Sequence, residues 1–172
     1  MSGNSDLRLA LSAASKLKVV SDYLVLLAEL KSQYAHNVSM LPDGKDRVSR
    51  FNCFAYALGL WDNPDYICMV DAAMNSAIVD SSLMVIMIED GTLCEISMSQ
   101  AVVGDMILYF RDDRPTHAAV ISSVGPPLML RSKWGGNQVH LHEIWEVPSE
   151  YGDSIRAYKV PATAICLDRL RG

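Results

Sequence analysis

The chain has little of several things, and each shortage excludes something. Its 172 residues contain 15 Lys plus Arg against 20 Asp plus Glu, a net charge of -5. The basic residues are scattered, so there is neither the overall positive field nor the local patch with which nucleic-acid binders release counterions. No apolar run approaches the roughly 20 residues of a spanning helix; those at residues 23–28 and 83–88 fall far short of it. The first six residues, Met1-Ser2-Gly3-Asn4-Ser5-Asp6, carry no basic start and no apolar stretch, so the reading is synthesis in the cytoplasm without a signal peptide. The four cysteines, Cys53, Cys68, Cys94 and Cys166, form no C-x-x-C pair and no zinc pattern. A disulfide framework is therefore not expected, and Cys68, Cys94 and Cys166 read as buried, inert small hydrophobes.

What is present suits one core. Half of the residues are apolar and mean hydropathy is +0.13, too much apolar matter for a disordered chain. At this length the expectation is a single domain over 1–172, with an N-terminal helical subregion at 1–45 and the main core at 46–162. Residues 6–34 lack Pro and Gly, and Leu17, Val20, Leu24, Leu27 and Leu30 recur at helical steps. Lys16, Lys18 and Asp22 fall between them, and Ser15 or Ser21 marks a break between two helices. Pro42-Asp43-Gly44 is a turn signal. Next, Asn52 sits where an N-cap belongs, Phe54, Ala57 and Leu58 share a helical face, and Gly59 closes the helix. Residues 71–88, with Ala72 and Ile78, read as a further helix, although 84–88 would also suit a strand.

From Gly104 the pattern changes to short strand candidates at 106–110, 117–124, 128–133, 138–142 and 155–160. They are separated by Arg111-Asp112-Asp113-Arg114-Pro115, Gly125-Pro126-Pro127 and Gly135-Gly136-Asn137. Helices followed by an antiparallel meander make an α+β domain.

Cys53 at the first turn of a helix would feel unpaired N–H groups and the positive end of the dipole, which favour thiolate. The same N–H groups could hold an oxyanion. His117, at the mouth of a strand with small Ala118 and Ala119 behind it, is the candidate proton shuttle. A third group should hold its imidazole. His140 and His142 share one strand face, and Ser132 and Asn137 are further candidates. Neither a metal nor an organic cofactor is needed for thiol chemistry.

Three segments carry a resemblance. Residues 51–59 around Asn52-Cys53, residues 103–109 led by Gly104-Asp105, and residues 116–120 with His117 resemble the NlpC/P60-type branch of the papain-like cysteine peptidases. Residues 130–135 are similar to the Asn-Ser-Trp-Gly segment of papain, and Ser132 stands at its Asn. The resemblance covers residues 50–160. It implies a papain-like fold, Cys53 as nucleophile, His117 as general base and His142 as orienter, with His140 or Ser132 as alternatives. It also implies an amide substrate, a peptide or peptidoglycan peptide. Asn52 and Trp134 are then substrate-side residues, Trp134 in the groove. Where the family has Asp-Cys-Ser this chain has Asn52-Cys53-Phe54, and the family's Tyr before the Cys is replaced around Met40-Leu41-Pro42.

With no leader on a cell-wall-type hydrolase, the expectation extends to an effector or toxin exported by a dedicated secretion machine, with a cognate inhibitor or immunity protein as partner. The rival readings are a deamidase or acyl-transfer toxin acting on a host protein, and a catalytically silent binding module.

Overall fold

A computed structural model describes residues 2–17, 19–43, 49–73, 79–136 and 138–171. Lys18, Gly44, Ile78 and Asn137, used above, lie outside the described residues. The chain is α+β, and its centre is a seven-stranded antiparallel sheet in the order β1-β6-β5-β4-β3-β7-β2. The strands are β1 (Ser39–Leu41), β2 (Cys94–Ile96), β3 (Met106–Arg111), β4 (Arg114–Ser123), β5 (Met129–Lys133), β6 (Val139–Glu143) and β7 (Ser154–Lys159). β3 to β6 form the expected meander, whereas β7 returns to the far side of β3. The three-residue strands β1 and β2 carry too few residues for a period-2 signal and were not read from sequence.

Helices cover both faces. On one, α1 (Ser2–Ala14) and α2 (Val20–Gln33) bury Leu7, Leu11, Tyr23, Leu27 and Leu30 against Ile107, Tyr109, Ala119 and Leu130. The break between them falls at Ser15, as expected, but Val20 and Leu24 of the apolar series are exposed. On the other face lie α3 (Cys53–Ala57), α4 (Pro64–Ala72), α5 (Ser81–Glu89) and α6 (Thr163–Arg171). They cover Met106, Leu108, Phe110, Ala118 and Tyr158. With both faces covered, residues 106–110 are all buried, which explains an unbroken apolar run where a half-exposed strand would alternate.

The single helix expected over 71–88 is corrected to two. Asn63 and Asp80 each accept a backbone N–H at the start of α4 and α5, and the 84–88 run is helical.

Two local devices position the site. The β3–β4 hairpin turns on Asp112 and Asp113 with φ of +50° and +58°, the paired left-handed geometry of a tight hairpin, which Asp tolerates better than most side chains. Pro115, expected in that turn, instead pairs with Phe110 inside β4. Tyr109 pairs with His117, so Thr116 is an extra residue bulged out of the ladder. Its hydroxyl donates to the carbonyls of Tyr109 (3.2 Å) and Tyr151 (2.6 Å). The bulge resets the alternation immediately before His117.

Candidate active site

α3 begins as its sequence suggests. The Asn52 side-chain oxygen accepts the Ala55 N–H at 3.0 Å, and its amide donates to the Val79 carbonyl. Gly59, at φ +68°, ends the helix; its N–H reaches the Tyr56 carbonyl, and the Leu60 N–H reaches that of Ala55 at 2.9 Å. Both polar ends of Asn52 thus hold the Cys53 turn in place, each through one hydrogen bond.

Cys53 is half-buried, at the first position of this five-residue helix. It packs against the cluster that contains Ala118, the residue after His117, where α3 meets β4. The chain therefore brings Cys53 and the backbone of His117 together across 64 residues. The expected thiolate is not what the surroundings favour. Burial raises the thiol to about 11, outweighing the amides of Ala118, Phe54 and Cys53 itself and the charge of Lys133, which act the other way. The physical reason is size: a five-residue helix has a small dipole, and removing the sulfur from water costs the anion more than the dipole returns.

His117, near the start of β4, is 1% exposed. Its imidazole stacks on Tyr151 with centroids 3.8 Å apart and planes at 14°, and Tyr109 lies 5.5 Å away. Nε2 is buried without a partner among the described residues. Burial, helped by the neighbouring His142 and His140, holds the ring well below the ordinary histidine value. No hydrogen bond joins its ring to the Cys53 sulfur among the described residues. Burial raises the Tyr151 phenol, with Cys53 acting in the same sense. His117 pairs with Tyr109 and packs with Tyr151 on the α1–α2 side, whereas Cys53 packs with Ala118 on the α3 side of the sheet.

His142 does not orient His117 in this arrangement. Its Nδ1 donates to the Glu143 carbonyl at 2.7 Å, and its Nε2 accepts from Ser132 Oγ at 2.7 Å. Ser132 can donate there because it accepts the Trp134 indole N–H at 2.9 Å. His140, the alternative, meets Tyr23 Oη at 2.6 Å, and Ser132 is spent on His142. Asn137 is outside the described residues. His140 and His142 do share one strand face, as their spacing predicts. Both are buried and lowered, to about 3 and about 4, because protonating either would place a charge in an apolar interior.

Trp134 is not a groove residue. It is fully buried, stacked on His140 at 4.3 Å with planes at 19°. The rest of the cysteine reading is corrected in part: Cys166 is buried, but Cys68 and Cys94 are exposed. Among the described residues no group of three or more His, Cys, Asp and Glu is placed to hold a metal ion, and no helix is long and apolar enough to cross a membrane.

The group that sequence reasoning missed is Lys133. Extending the β4–β5 pairing from Val120↔Arg131 places it beside Ala118 on the α3-facing side. It is 1% exposed, a burial lysine almost never reaches unpaired. Nζ donates to the Gly135 carbonyl at 2.7 Å and lies 5.3 Å from the centre of the Phe51 ring, two residues before Cys53. Burial lowers it to about 8, with Cys53 acting in the opposite sense. A lysine in a strand reads as a solvated end from sequence; only the sheet register sends it to the sulfur.

No family model, no curated protein and no solved structure matches the chain.

Proposed function

We propose that the protein is a cysteine hydrolase of amide bonds, with Cys53 as nucleophile and His117 as general base. The observation that carries this reading is Cys53 at the capped start of α3, packed on β4 beside Ala118, the residue after His117. The resemblance of residues 51–59 and 116–120 to the NlpC/P60 peptidases adds to it and suggests a papain-like fold and a peptide or peptidoglycan-peptide substrate.

The resting pair is neutral on both sides: burial raises the thiol and lowers the imidazole. A preformed ion pair is therefore not the starting state. His117 takes the thiol proton as the sulfur attacks the carbonyl carbon, and later delivers that proton to the departing amine; water then releases the acyl group from the sulfur. Thiolate and imidazolium formed together in a water-poor site stabilise one another more than they would in solvent. Lys133, largely protonated at neutral pH with its value near 8, adds positive charge where negative charge develops. The amides of Ala118 and Phe54 are the nearest donors for the oxyanion.

The exposed apolar residues Leu9, Val25 and Leu24 leave the α1–α2 side open to a partner such as an inhibitor protein, in keeping with the effector reading. The experiment is mass spectrometry of purified sacculi incubated with the wild type and with Cys53→Ala. New muropeptides from the wild type alone support a cell-wall amidase. Identical profiles overturn the peptidoglycan substrate, and a partner protein gaining the mass of deamidation would favour the deamidase instead. Unchanged function in Cys53→Ala would leave a binding module.

A further inference from the structure

Between α3, the sheet and α6 lies a cavity of about 310 Å³ that the chemistry above does not use. Its walls include Tyr56, Trp61, Val120 and Thr163, and its charged groups are Asp43 and Arg131. Arg131 pairs with Val120 and so faces the same side of β5 as Lys133, one same-face step along the strand, about 6.6 Å by strand geometry. The Cys53 and cavity ends of α3 are separated by its five residues, a rise of about 7 Å. A ligand in the cavity therefore lies about two extended residues from the Cys53 end of α3.

The polar groups are unevenly satisfied. Asp43 accepts the Tyr56 hydroxyl at 2.9 Å and stands 3.8 Å from Arg131 Nη1. Arg131 Nε is buried without a partner among the described residues. A guanidinium presents five donors in a planar fork; besides one long contact to Asp43 and the buried Nε, the Arg131 side chain is 40% exposed, so its remaining donors face solvent on the cavity side. Buried donors are normally paired, because leaving one unpaired forfeits its hydration. Apolar walls beside an underused fork suit a short methylene stem ending in a carboxylate.

We propose that this cavity is a binding subsite for a carboxylate-bearing residue of a peptide-like amide, held by Arg131, with its stem between Trp61 and Val120. That the ligand is part of a substrate rests on the Cys53 reading; the binding does not. A carboxylate is favoured over a phosphate because Asp43 already places one negative charge at the fork, and a dianion would meet more repulsion.

The test titrates isotope-labelled full chain with N-acetyl-glutamate, its neutral isostere N-acetyl-glutamine and inorganic phosphate, following the Trp61 indole N–H by NMR. The acid should give a saturable shift and the isostere none at the same concentration. Arg131→Gln should weaken the acid on the order of tenfold, the loss of a charge-assisted bond. Cys53→Ala should bind like the wild type, so failure of the hydrolase reading and failure of this one are read separately. Equal shifts by acid and isostere, tighter binding of phosphate, or no shift in the wild type would each overturn the assignment. The wild-type comparison decides the matter even if Arg131→Gln fails to fold.

Discussion

Acid should destabilise this protein well above the range in which its carboxylates titrate. All four histidines, His36, His117, His140 and His142, are held below the ordinary value by burial. In the unfolded chain each returns to about 6.5. Below that pH the unfolded state binds more protons than the folded one, so stability is full above about pH 6.5 and falls as pH drops toward the folded values. His140, at about 3, and His142, at about 4, remain neutral in the fold at pH 5. The unfolded chain then gains about 2 kcal/mol at each site, from 1.36 kcal/mol per unit over about 1.5 units. The pair alone removes about 4 kcal/mol, and His117 adds in the same direction. Against a total of about 5–15 kcal/mol that is a large share. Urea unfolding followed by tryptophan fluorescence at pH 7.5 and pH 5.0 measures it. Unfolding free energies within about 1 kcal/mol of each other at the two pH values would refute the placement of these rings in the interior.

Other outcomes follow from single contacts. Gly152 has φ +123°, and a Cβ there would lie 2.5 Å from the Phe110 carbonyl oxygen, so Gly152→Ala should cost at least about 2 kcal/mol in urea unfolding; a neutral substitution would contradict the close approach. Asn52→Ala should cost about 1 kcal/mol through the lost cap and disturb Cys53, seen as a changed alkylation rate with the fold retained. Lys133→Met removes the cation that favours thiolate, so iodoacetamide alkylation of Cys53, mapped by peptide mass, should slow at about pH 7, where Lys133 is largely protonated. An unchanged rate would separate Lys133 from the sulfur.

The local pattern carried what depends on neighbours in the chain. Asn52 before Cys53 and Gly59 after it wrote both ends of α3, because caps act on backbone groups within a few residues. The α+β order and the meander from β3 to β6 were legible from short apolar runs between turn residues, and the two-residue spacing of His140 and His142 placed them on one face. Cys53 and His117 stood out because their chemistry is rare in such positions. What the chain could not announce was which side of the sheet each residue would face and how much water would remain there. The bulge at Thr116 and the register of β5 decide that, and both depend on pairings between segments far apart in sequence. They turned Trp134 inward, gave both nitrogens of His142 to other partners, and brought Lys133 to the sulfur. Burial then reversed the expected charge state of Cys53, since the desolvation of a thiol is set by every element packed around it and by no single motif.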